Sequence, residues 1–226
     1  MSLNVNFFNP DALITLSGWT RQSSSNGGSK QRAQALDADG DELAYQEYGN
    51  QKSVTMNFVS TATTGDLTLP KPGSILNGYH IDNFTLTYSQ ASFPTLSVSA
   101  HKHGNAAHDE CRTYTPSITA PACFGVPSEF GDFDCGDEVG MRSLSYSCQV
   151  NHVDENDGAG EHLAGDNYDG SETVSIDTTG ITTITAPSGW TNDSSSESKS
   201  NTAAETASAS FSHHIQHDVA AAGTGT

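Results

Sequence analysis

The sequence predicts an all-β chain with a minor helical part, an antiparallel β-sandwich or barrel subunit with long loops and terminal arms. Three observations carry that prediction. Apolar residues recur with period two, turn-forming residues punctuate them at short intervals, and the polar surface is built from Ser, Thr, Asn and Gly. Charged residues are only 16% of the chain, against the roughly 25% of an ordinary soluble domain.

The elements follow in order. Val54-Thr55-Met56-Asn57-Phe58, Phe84-Thr85-Leu86-Thr87-Tyr88 and Leu96-Ser97-Val98-Ser99-Ala100 alternate cleanly, as do Leu144–Val150 and Ala207–Phe211. Such one-sided alternation suits antiparallel sheets with one buried and one polar face. The phase slips between Ile81 and Phe84, which places a β-bulge at Asp82-Asn83. Pro70-Lys71-Pro72-Gly73 and Asn77-Gly78 mark turns. Ser29–Leu36 is expected to form two helical turns with Ser29 as the cap, and Asn201–Ala207 is a poorer helix candidate.

Residues 1–226 are read as a single β domain, an ordinary size for one. Residues 104–140, with three prolines and three cysteines, are expected to be a Cys-bearing loop insertion. Residues 154–172 hold seven acids and no Lys or Arg, which suggests an acidic loop between strands. Residues 220–226 are small and uncapped, the composition of a flexible tail. The N-terminal residues have neither a basic region nor a continuous apolar run, so no secretory signal is read there. No run of about 18 apolar residues exists, so no membrane partner is expected.

Charge excludes some functions. With 27 acids against 9 Lys and Arg the net charge is −18, and nucleic-acid affinity depends on cations that neutralise phosphate. Repulsion of DNA is the expectation. Cys111, Cys123, Cys135 and Cys148 contain no C-x-x-C pair, so zinc-knuckle and thioredoxin motifs are unsupported. Two disulfides in any of three connectivities remain open beside the thiol form expected of a cytosolic chain.

Candidate chemistry is sparse. His101 and His103 sit two apart on a strand and can share a metal, with His108-Asp109 close behind, but spacing fixes no third ligand. A polar strand end with water-facing histidines is the blander reading, and it is preferred. His213, His214 and His217 invite the same pair of readings. Asp37–Glu42 resembles a calcium loop but has Gly40 at its fourth position and Tyr48 at its twelfth, so the EF-hand pattern fails. No nucleophile elbow appears, and no carboxylate pair stands out. Asn83 and Asn192 open glycosylation sequons, relevant only in a secreted eukaryotic chain. Catalytic, cofactor-binding and metal residues are therefore read as none, cofactors as none, and the chain as non-enzymatic.

The most distinctive feature is a repeat. Ser-Gly-Trp-Thr-x-x-Ser-Ser-Ser occurs at Ser17–Ser25 and again at Ser188–Ser196, and these copies hold both tryptophans. Each copy reads as a strand exit with a Gly-Trp turn and a Ser-rich arm. Trp19 and Trp190 suit a sugar-stacking site or an interface; equally, a Trp there closes the end of a β-sandwich.

Gly65–Pro70, Gly78–Tyr88 and Phe93–Leu96, with Leu144–Ser147, His152, Gly165-Asp166 and Glu172–Thr178, resemble tailed-phage tail-tube and related virion tube-forming proteins. That resemblance implies a homo-oligomeric subunit forming stacked, typically hexameric rings, with loops and arms joining them. It implies a virion location after assembly in the host cytoplasm, contacts with other tail or virion proteins, and an acidic lumen through which DNA passes unbound. A glycan-binding or decoration module is the alternative expectation, and a hydrolase on a β-scaffold a third without named residues.

Overall fold

A computed structural model describes residues 14–103, 112–133, 140–158, 162–180, 183–199 and 204–216. All regular structure among them is β, and the fold is antiparallel throughout. The strands are β1 (Thr20–Leu36), β2 (Glu42–Val59), β3 (Asp66–Leu67), β4 (Ile75–Leu76), β5 (Tyr79–Ser89) and β6 (Thr95–His103). They continue as β7 (Ala120–Pro121), β8 (Gly140–Asn156), β9 (His162–Thr179), β10 (Thr191–Ser198) and β11 (Thr206–Ile215). One large sheet runs in the order β1-β2-β6-β5-β8-β9-β11-β10, with β4 paired to β5 off that path, and β3 pairs β7 in a small second sheet.

The period-two segments do what their pattern predicts. Val54, Met56 and Phe58 of β2, Leu96 and Val98 of β6, Phe84, Leu86 and Tyr88 of β5, Leu144 and Tyr146 of β8, Val174 and Ile176 of β9, and Phe211 of β11 form one continuous buried layer. Their alternate neighbours put Ser97, Thr85, Ser147, Thr173 and Ser212 in cross-strand register, a hydroxyl-rich opposite face. Burying an aromatic or aliphatic side chain contributes roughly 1.5–3 kcal/mol, so this layer supplies the dominant favourable term.

Within the residues expected to form a Cys-bearing loop insertion, the segment 112–133 is largely irregular but packs onto the sheet. Ile118, Ala120, Ala122, Phe130 and Phe133 join the core cluster, and Tyr88 Oη donates to the Pro121 carbonyl at 2.7 Å. An antiparallel sheet with one apolar face needs a cover, and this segment supplies much of it. Ile14, Trp19, Leu67 and Ile184 complete the cover. Cys123 and Cys148 are free thiols; Cys111 and Cys135 lie outside the described residues, as do 220–226.

Two other expectations are corrected. Ser29–Leu36 is the second half of β1, not a helix, and pairs residue by residue with β2 from Ser29↔Gln51 to Leu36↔Glu42. Eight residues with Ser and Gln among them cannot repay helix nucleation alone, whereas a hairpin partner satisfies their backbone groups. Of the weaker candidate Asn201–Ala207, residues 201–203 lie outside the described part and Thr206-Ala207 begin β11. Residues 154–172 are mainly strand, closing β8 and opening β9, because the hairpin register carries through the acids.

Local geometry agrees with the turn and bulge signals. The β5–β6 register shifts between Ile81 and Asn83, so Asp82 is the extra residue. Asn77 and Gly78 both have positive φ, 52° and 78°, as the two-residue hairpin from β4 to β5 demands.

Two hairpins run beyond the sheet. Past Gln51↔His103, β1 and β2 pair with each other alone out to Leu36↔Glu42. Past Gln149, β8 and β9 do the same from Asn151↔Tyr168 to Asn156↔His162. Strand directions alternate along the sheet, and β1 and β8 stand four steps apart. Both arms therefore leave the same end of the molecule.

Candidate functional sites at the sheet edges and the histidine-bearing end

The repeat is placed by the fold at the two extremes of the large sheet. One copy leads into β1 and the other into β10, the first and last strands of the path. The lead-ins match in detail. Trp19 N–H donates to the Leu16 carbonyl and Trp190 N–H to the Pro187 carbonyl, each at 3.2 Å. Gly18 and Gly189 supply the positive φ, 82° and 92°, that the third position of such a turn requires. Each edge then carries a register shift three residues after the Trp, at Arg21/Ser23 and Asn192/Ser194.

Both tryptophans anchor these lead-ins in the core. Trp19 is buried and its indole N–H donates to the Thr68 carbonyl at 2.7 Å. Trp190 stacks on His213 with ring centres 5.1 Å apart and meets Phe133 edge-on. His213 in turn reaches Glu172, a fully buried carboxylate. Glu172 also accepts from Ser117 N–H at 2.6 Å, from the Ser117 hydroxyl and from the Tyr146 hydroxyl. Burial, first, and the neighbouring Glu172 charge push the Tyr146 phenol well above its ordinary value. A buried charge tolerates its place only when hydrogen-bonded, and this network ties the 112–133 cover to β8, β9 and β11.

The edges are chemically opposed. β1 contains Arg21, Lys30 and Arg32 and no acid; β10 contains Asp193 and Glu197 and no cation, Lys199 falling one residue past its end. The arms add apolar surface. Leu36, Leu43 and Tyr45 on one and Val153, Leu163 and Tyr168 on the other are six of the eight exposed large apolar side chains among the described residues. Asp37–Glu42, the calcium-like run, closes the tip of the first arm. There Asp37 Oδ1 accepts from the Asp39 and Asp41 N–H groups, both at 2.9 Å.

The end of the sheet between the arms holds a histidine cluster. His101 and His103 do not face water: both are buried, along with His80. Cross-strand register sets His80 opposite His101, and their rings stack at 5.4 Å. His152 on β8 packs 4.6 Å from His101, ring centre to ring centre, although β5 separates their strands in the sheet. One ligand nitrogen from each of His101, His103 and His152 lies within 4.8 Å of the others. Partners fix the rings. Asp82, displaced by the β5 bulge, holds His101 Nδ1 at 2.5 Å, and Asn167 holds His152 Nδ1 at 2.8 Å. Asp154 Oδ1 lies 2.7 Å from His152 Nε2 and 3.1 Å from His103 Nε2.

Sequence reasoning found half of this cluster. His152 and Asp154 stand about fifty residues from His103, and no local spacing connects them; the β8–β9 alternation gave the available signal. His213 belongs to the Glu172 network, and His214 lies 3.3 Å from Asp169. His108, Asp109 and His217 lie outside the described residues. No helix among the described residues is long and apolar enough to cross a membrane. Compared with known proteins, the chain matches no family model and no curated sequence.

Proposed function

We propose that this chain is a non-enzymatic structural subunit that joins copies of itself edge to edge into rings, and that the rings stack as a tube. The observation that carries the reading is the pair of open edges on a sheet of eight alternating strands. Because the number is even, β10 of one copy meets β1 of the next antiparallel whenever copies are related by rotation about an axis along the strands. Edge strands invite such pairing, and single-chain proteins commonly block it with Lys, Pro or a short strand. β1 is 17 residues long and proline-free.

Charge selects the junction. Within the sheet body a β1–β10 contact sets Arg21 beside Asp193, whereas a β10–β10 contact sets acids against acids. Exposed apolar residues on two arms leaving one end suit docking onto the adjacent ring. Within a virion tube of the tailed-phage kind, a net charge of −18 keeps passing DNA from binding.

Charge-swapped edges test the proposal. Ser23→Glu with Ser25→Glu on β1, and Ser194→Lys with Ser196→Lys on β10, are each expected to shift sedimentation velocity profiles toward monomer. The chain carrying all four substitutions regains rings visible by negative-stain microscopy. An unsubstituted protein that stays monomeric across assembly conditions, or two edge variants that assemble as well as it does, would overturn the reading.

A further inference from the structure

The histidine cluster goes beyond assembly. Four imidazoles converge at one end of the sheet, and the donor atoms of three of them are grouped tightly enough for one ion. We propose that His101, His103, His152 and Asp154 bind a single divalent transition-metal ion of the zinc class, three nitrogens and one carboxylate oxygen in a four-coordinate site.

The donor set fits that class. Imidazole nitrogen with one carboxylate suits zinc and its neighbours nickel, cobalt and copper, and does not suit calcium or magnesium, which take oxygen shells. Zn–N bonds of about 2.0–2.1 Å in a tetrahedron put ligand nitrogens roughly 3.4 Å apart. The present spread of up to 4.8 Å closes with a shift of under about 1 Å in each ring. Asp154 Oδ1 already sits between two of the Nε2 atoms.

Orientation is the second argument. On His101 and His152 the Nδ1 atom is held, by Asp82 and Asn167 respectively, which directs Nε2 toward the common centre. A carboxylate or amide oxygen behind a ligating imidazole is the arrangement that fixes its tautomer and ring plane. The β5 bulge places Asp82 in that position. His80 stacks against His101 as a floor and is not assigned as a ligand.

The location gives the ion its role. Its ligands come from β6 and β8, which are not neighbours in the sheet, so it bridges across the start of β5. His152 and Asp154 lie at the root of the β8–β9 arm. The ion clamps that root to the body of the sheet, and a site closed by four protein ligands is structural.

The full chain, stripped with chelator and titrated with Zn(II) alone, is expected to take up one equivalent with a rise in melting temperature. Co(II) in its place is expected to give the intense visible bands of four-coordinate geometry. His103→Ala, His152→Ala and Asp154→Asn each lower affinity by at least the roughly 100-fold upper end of what losing a partner behind a ligand costs, and His80→Phe leaves stoichiometric uptake intact. Should the alanine variants fail to fold, the cobalt spectrum of the unsubstituted chain decides alone. Absence of uptake by that chain, a six-coordinate cobalt spectrum, or unchanged affinity in the folded His103→Ala and His152→Ala variants would overturn the site.

Discussion

Replacing Glu172 by Ala tests whether the buried carboxylate network holds the cover onto the sheet. The carboxylate is fully buried and receives four donors: Ser117 N–H, the Ser117 and Tyr146 hydroxyls, and His213 Nδ1. Removing it leaves Tyr146 and Ser117 donors buried without their acceptor. Each such orphaned group costs about 1–3 kcal/mol, and water refilling the space recovers part of the sum. The expected loss is therefore about 3–5 kcal/mol, the range typical of breaking a buried charged contact. Glu172→Gln retains one acceptor oxygen and the volume, so its loss is about 1–2 kcal/mol. Urea unfolding followed by tryptophan fluorescence reads both, since Trp190 stacks on the same His213. With a urea slope of roughly 2–3 kcal/mol per molar, the Ala variant's midpoint falls by about 1–2.5 M. A loss under about 1 kcal/mol would show that the 112–133 segment is held by apolar contact alone.

Further outcomes follow from burial. Burial lifts the Tyr88 and Tyr146 phenols above their ordinary values, so the folded state keeps protons that the unfolded chain releases. These two phenols leave stability unchanged up to about pH 10 and lower it above, by at most about 1.4 kcal/mol per pH unit for each tyrosine; the raised Cys148 thiol begins its own decline near pH 9. Tyr88→Phe reduces that alkaline slope by one proton's worth, measured by urea unfolding across the range. The buried Cys148 thiol is raised by desolvation, with Glu172 adding to it. It should resist iodoacetamide in the native state and react at once in denaturant, as mass spectrometry would show; Cys123, partly exposed, reacts before Cys148.

Legibility in the sequence followed the hydrophobic pattern. Val54–Phe58, Phe84–Tyr88 and Leu144–Val150 announce themselves because one sheet face is buried there, and the phase slip at Asp82 revealed the bulge that aims this residue at His101. The arms were opaque for the converse reason. Ser29–Leu36 and residues 154–166 have no apolar period, since a two-stranded ribbon in solvent has no core to face, and backbone pairing alone defines it. The histidine site needed three-dimensional register: His101 and His103 suggested a metal pair, but β8 supplies the third imidazole across an intervening strand. The repeat's meaning also required topology, because strand order alone puts its copies at opposite edges.

The two arms also bear on how the chain acquires its structure. Each closes through a five-residue connection, 37–41 and 157–161, so each can zip on the microsecond scale of an isolated hairpin. The β2–β6 and β5–β8 pairings must instead wait for long loops to close, which is slower. Nascent chains thus expose two formed ribbons while the sheet between them is still incomplete. At high concentration a ribbon from one chain is positioned to complete another's sheet, so refolding yield should fall with protein concentration before any mature assembly forms.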